Sequence, residues 1–175
     1  MIDFSQNYFA LFGLPLRYRF DSERLDAAYR TLQRAVHPDR YAAAGDAERR
    51  VALQSSAHVN EAYRALKDPV GRAQYLLSLR GIDALAETDT TLPQEFLQRE
   101  LERREAVGDA QAVHDMDRLT ALLSEVRSDA SIVETALADH LDAQAWERAR
   151  DAVRELRFLT KIAADIEEAL AEGDG

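Results

Sequence analysis

Between Gly108 and Gly173 the chain contains neither proline nor glycine. These residues are the usual punctuation of a fold, and a stretch this long without them, rich in Ala, Leu, Glu and Arg, is committed to helix. It is too long for one globular helix, so it must fold back on itself, and Asp142 is the expected break because Asp caps helix N-termini well. Only seven Gly and four Pro occur in all 175 residues. An all-α chain is therefore expected, with most of its boundaries marked by those eleven positions.

The first half obeys the same punctuation. Asn7 before Tyr8-Phe9-Ala10-Leu11-Phe12 and then Gly13 reads as a capped helical turn with a glycine stop. Asp21 caps a helix over about 22–36, in which Leu25, Ala28, Tyr29, Leu32 and Val36 recur at three- and four-residue steps along one face. Pro38 ends it, and His37 to Gly45 forms a polar loop. A long helix is expected from about Ala47 to Lys67. Asp68-Pro69 then restarts a shorter one that runs to Arg80 and stops at Gly81. Residues 82–92 read as a linker. Pro93 opens a charged helix expected to end before Gly108. The expected organisation is a first domain over 1–81, a linker over 82–92, and a three-helix bundle over 93–175.

The net charge of −10 argues against nucleic acid as the main partner. Its distribution is more informative. Residues 1–80 carry 12 basic and 9 acidic side chains, while residues 81–175 carry 10 and 23, which gives +3 and −13. The two halves thus present electrostatically different surfaces. With no Cys there is no disulfide, thiolate metal site or Cys nucleophile. The start lacks a basic, apolar leader, and no stretch approaches the roughly 18 apolar residues of a membrane span. The expectation is a cytoplasmic protein that does not enter the membrane.

The motif that carries chemistry is His37-Pro38-Asp39, in the loop between two amphipathic helices. Pro38 rigidifies the loop, so less ordering entropy is lost on docking. Asp39 can accept charge-assisted hydrogen bonds, most naturally from an arginine of a partner. His37 can donate, accept or stack. Arg30, Arg34 and Arg40 make a cationic surface around it that suits an acidic patch. Read as an enzyme, the chain would use His37 and Asp39 as an acid–base pair. They lie across a proline in an open loop, with no nucleophile, phosphate-binding glycine loop or water-excluding pocket in view.

This arrangement of a short helix, a basic-faced helix, the tripeptide, a long helix and a closing helix resembles a J domain. The likeness extends to one family. Tyr8-Phe9-Ala10-Leu11-Phe12-Gly13-Leu14-Pro15, Leu32-Gln33-Arg34, Asn60-Glu61-Ala62-Tyr63 and Arg72-Ala73-Gln74-Tyr75-Leu76-Leu77-Ser78-Leu79 resemble the J domain of HscB, the co-chaperone of iron–sulfur cluster assembly. Val153-Arg154-Glu155-Leu156-Arg157-Phe158-Leu159 resembles its C-terminal signature. The resemblance implies that His37, Pro38, Asp39, Arg30, Arg34 and Arg40 meet a DnaK-type chaperone, HscA, and stimulate its ATPase. Many J domains have Lys directly after the tripeptide, where this chain keeps the charge with Arg40.

The resemblance further implies that the second half holds the scaffold protein IscU. It would use Leu97, Leu101, Glu102 and Glu105 on the bundle's first helix and Phe158 on its last. Apolar anchors ringed by carboxylates suit an apolar, basic partner. Periodicity alone leaves open whether Leu97, Leu101 and Phe158 are exposed or are bundle core. Two positions depart from the family. Gln98 stands where some relatives have Met, and Asp109 follows Gly108 where an acidic residue would continue the helix. Some eukaryotic members carry a Cys-based zinc finger; this Cys-free chain fits the bacterial kind, and no metal or cofactor is implied. A J-domain protein with another client is the alternative reading. Tyr8, Phe9, Leu11 and Phe12 are expected in the core, Asn60 in a local hydrogen bond, and His58, His114 and His140 in no special role.

Overall fold

The computed structural model describes residues 2–41, 45–86 and 92–173. Among them every regular element is helical, and the chain divides into two compact units, Met1–Leu79 and Arg80–Gly175.

The first unit begins with α1 (Tyr8–Leu11), whose Ala10 N–H donates to Asn7 Oδ1 at 2.9 Å. Gly13 follows at φ +64°, a left-handed turn that a side chain would strain. In α2 (Ser22–Val36) the Asp21 carboxylate caps Glu23 N–H at 2.9 Å. The long helix α3 (Asp46–Lys67) runs antiparallel to α2, so that Asp26 meets Lys67 while Tyr29 meets Tyr63 and Asn60. Asp68 then caps Gly71 N–H, with Pro69 in the first turn of α4 (Pro69–Ser78). This helix stops two residues short of the expected Arg80. Phe9, Phe12, Leu14, Leu25, Val36, Val59, Ala62 and Leu66 form the core, and Tyr8 and Leu11 are half-buried against it. Removing that apolar surface from water is what holds four amphipathic helices together.

The second unit contains α5 (Gln94–Ala112), α6 (Met116–Asp142) and α7 (Trp146–Gly173). Its core includes Phe96, Val107, Ala110, Leu119, Leu122, Leu123, Val126, Leu159, Ile162 and Ile166, with Leu137, Val153 and Leu156 also buried. Of the expected linker, residues 87–91 lie outside the described residues. Ala84 is fully buried, and its carbonyl accepts a hydrogen bond from Arg154 Nε at 2.9 Å.

Two boundaries differ from those expected. α5 does not end before Gly108 but continues through it to Ala112. Val107 and Ala110, on either side of the glycine, are buried in the core, and their burial outweighs the cost of about 1 kcal/mol for an exposed helical glycine. Asp142 is the last residue of α6 rather than the N-cap of α7. Both turns are made by non-glycine residues in the left-handed region, His114 at φ +55° and Gln144 at φ +56°. Each closes a Schellman motif. Asp115 N–H reaches Ala110 C=O at 2.9 Å, and Ala145 N–H reaches His140 C=O at 2.8 Å.

Candidate functional site

The tripeptide sits at one end of the α2–α3 hairpin, in a 3₁₀ turn over Pro38–Tyr41 that follows directly on α2. Asp39 N–H donates to His37 Nδ1 at 3.3 Å. The Asp39 carboxylate lies 3.6 Å from the same Nδ1, which is an ion pair only when the ring is protonated, and Arg40 N–H donates to the His37 carbonyl at 3.1 Å, the backbone bond that closes the turn. The Asp39 side chain is 90% exposed and that of His37 is 51% exposed. The turn therefore presents an acceptor and a ring to solvent at low cost in buried surface.

The arginines around the loop do two things. Arg40 donates to the Arg34 carbonyl at 3.3 Å and Tyr41 O–H to the Ala35 carbonyl at 3.4 Å, and these contacts cap the C-terminal end of α2. A cation there also complements the helix dipole. Arg30 and Arg34 stand one turn apart on the same helix, both exposed, with Arg34 Nε donating to the Arg30 carbonyl at 3.2 Å. The structure thus brings Arg34 and Arg40 to the loop, and Arg30 lies one turn back.

A polar and aromatic seam fixes the hairpin that carries the loop. Tyr29 and Tyr63 stack with ring centroids 3.9 Å apart. Tyr29 O–H donates to Asn60 Oδ1 at 2.9 Å and accepts from Gln33 Nε2 at 2.9 Å. Asn60 is thus a bridge between helices rather than the partner of a local backbone group. Lys67 Nζ donates to both Asp26 oxygens at 2.8 and 2.9 Å, and Tyr63 O–H to one of them at 3.0 Å. The Lys67 hydrogen bond holds the Asp26 carboxyl below the ordinary carboxylate range and raises the Lys67 ammonium in return. The sequence reading did not assemble this seam, although the four-residue steps Asp26–Arg30, Tyr29–Gln33 and Tyr63–Lys67 were visible.

The second candidate surface lies on α5. Leu97 and Leu101 are 44% and 60% exposed, so both are surface residues and not bundle core. Glu102 and Glu105 are exposed beside them. Gln98 Nε2 donates to Glu102 Oε1 at 3.4 Å, so the departure at position 98 replaces an apolar group with one that engages the acidic edge. Phe158 is half-buried. It packs edge-on against Phe96 with centroids 5.7 Å apart, and the Arg104 guanidinium covers it at 4.7 Å from the ring centre. Its ring is therefore shielded rather than bare. On the opposite face of α5, Glu100 is fully buried. Arg103 donates to both its oxygens at 2.7 and 2.9 Å and also pairs with Asp129 of α6. A glutamate in so charged a run gave no sign of being buried.

Among the described residues no group of three or more His, Asp or Glu side chains is placed to hold a metal ion, and no helix is long and apolar enough to cross a membrane. A cavity of about 470 Å³ opens at the loop end of the hairpin. Leu32, Val36, Tyr41, Val51 and Ala52 wall it, and neither His37 nor Asp39 does.

Comparison with known proteins matches both units. Residues 7–75 fit the DnaJ domain family, and residues 92–167 fit the family described as the HSCB C-terminal oligomerisation domain. The Co-chaperone protein HscB homolog of Cupriavidus taiwanensis is 52% identical over 164 residues, covering 94% of this chain and 93% of that one. Its counterpart in Paraburkholderia phymatum is 47% identical and covers 95% of both chains. Among solved structures, the chaperone HscB from Vibrio cholerae superposes with a TM-score of 0.86 at 34% identity, over 95% of this chain and 99% of that one. The human co-chaperone protein HscB gives 0.88 at 26% identity, over 95% and 83%. A J domain followed by a three-helix unit of this kind, with relatives of this identity along nearly its whole length, places the chain in the HscB co-chaperone family.

Proposed function

We propose that this chain holds an iron–sulfur scaffold protein of the IscU kind on its second unit and presents it to HscA, a DnaK-type chaperone whose ATPase it stimulates. A J domain over residues 1–81 and a client-holding bundle over 93–175 divide the work, in the cytoplasm. The observation that carries the first part is the turn at His37-Pro38-Asp39, in which the His37 and Asp39 side chains are exposed. It is closed by the Arg40 N–H to His37 C=O hydrogen bond and flanked by Arg34 and Arg40. A preformed turn loses little entropy on docking, and the arginines favour an acidic chaperone face.

The second part rests on Leu97 and Leu101, large apolar side chains left exposed on one stripe of a charged helix. Exposed leucines edged by Glu102 and Glu105 fit a client with an apolar, basic surface. Replacing both leucines with alanine is expected to weaken binding of the scaffold protein by roughly 2 kcal/mol or more, about thirtyfold, measured by calorimetry. Because both side chains are exposed, the thermal midpoint should stay unchanged. Wild-type affinity in the double variant would move the scaffold off this surface and favour a J-domain protein with another client.

A further inference from the structure

Alongside Phe158, the face between α5 and α7 holds a groove of about 300 Å³. Arg104, Gly108 and Gln111 line it from α5, and Lys161 and Asp165 from α7, over a floor of buried Val107 and Ile162. Three features set it apart. Gly108 borders open space, where a Cβ would meet no atom within 4 Å. Arg104 and Lys161 are exposed, and neither is ion-paired to another described residue. Both cations stand in a half of the chain that carries only 10 basic side chains against 23 acidic ones. Among the described residues Arg148 and Arg157 of the same unit are also exposed without an ion pair, so what distinguishes Arg104 and Lys161 is that both line one groove. The groove also borders the proposed client surface, since Arg104, which lines it, covers the Phe158 ring with its guanidinium.

We propose that this groove takes an acidic side chain of the client protein, held between Arg104 and Lys161. The inference rests on the reading of Leu97 and Leu101 as client anchors and adds a direction to it. The client surface then has an acidic edge at Glu102 and Glu105 and a basic end at Arg104 and Lys161. A client with an apolar ridge, basic on one flank and acidic at one end, fits it in only one orientation. Charge patterns of this kind select orientation and suppress wrong docking more than they add raw affinity.

The test is binding of the full-length chain to the scaffold protein by calorimetry at low and moderate salt, with Lys161→Glu, Lys161→Gln and Leu97→Ala/Leu101→Ala. Lys161 is exposed, so thermal unfolding should confirm that its variants fold as wild type. Lys161→Glu is expected to bind about tenfold more weakly, because it sets like charges against each other. Lys161→Gln should bind severalfold more weakly, with a smaller salt dependence. If both Lys161 variants bind as wild type while the leucine variant does not, the groove is not part of the client surface and the inference fails alone. If the leucine variant also binds as wild type, the client surface itself is elsewhere and both readings fail.

Discussion

Replacing Arg103 with leucine should destabilise the second unit by about 3–5 kcal/mol, the usual cost of stranding one member of a buried ion pair. Glu100 is fully buried on α5, and Arg103 supplies hydrogen bonds to both of its oxygens. The Arg103 side chain is itself only 9% exposed and reaches on to Asp129 of α6. Without it, Glu100 keeps among the described residues only Arg99, whose Nε lies 3.6 Å away on a side chain that is 59% exposed. The loss is thus a carboxylate left in the protein interior with a single solvated neighbour. Replacing Glu100 with leucine as well, in an Arg103→Leu background, should recover much of the loss, since well-packed apolar pairs often match buried ion pairs. Denaturant unfolding followed by helical circular dichroism measures both. A loss under about 1 kcal/mol for Arg103→Leu would mean that Glu100 is solvated in solution. The network also ties α5 to α6 at the level of Leu101, so the stability of this pair and the presentation of the exposed leucines are linked.

Changing His37 to glutamine should leave stability unchanged to within about 0.5 kcal/mol and remove stimulation of the DnaK-type ATPase. His37 and Asp39 belong to neither apolar core, and both side chains are largely in solvent. What the substitution removes is the ring whose Nδ1 accepts a hydrogen bond from the Asp39 amide. If His37 docks as proposed, the substitution removes that contact together with the hydrogen bond to the Asp39 amide. The comparison of stability with stimulation separates this account from a structural one. A variant that both unfolds early and fails to stimulate would make His37 a folding residue, and full stimulation by the variant would remove the ring from the mechanism.

The sequence made the first unit almost fully legible because its boundaries are set by chemistry visible in one or two residues. Asn7, Asp21 and Asp68-Pro69 cap helices, and Gly13 and Gly81 turn the chain at positive φ. The His37-Pro38-Asp39 turn could be placed for the same reason. In the second unit the information is tertiary. His114 and Gln144 take left-handed conformations that their side chains do not advertise, because the helices on either side are pinned by burial. Gly108, by contrast, looked like a stop and is not one. The alternation of Leu97 and Leu101 with charged residues was equally consistent with core or surface. Only the packing of Phe96 inward and the burial of Glu100 show which face of α5 is turned to the core. Arg104 over Phe158 and the Asp26–Lys67–Tyr63 cluster depend on distances between helices, which periodicity within one helix cannot supply.

The most direct test of the central claim is steady-state ATP hydrolysis by HscA with the wild-type chain, alone and together with the scaffold protein. The account predicts that the chain stimulates hydrolysis and that chain and scaffold together stimulate more than the sum of their separate effects. Stimulation that the scaffold does not increase would leave the J domain in place and remove the iron–sulfur client. No stimulation of HscA or of a general DnaK chaperone would contradict the account.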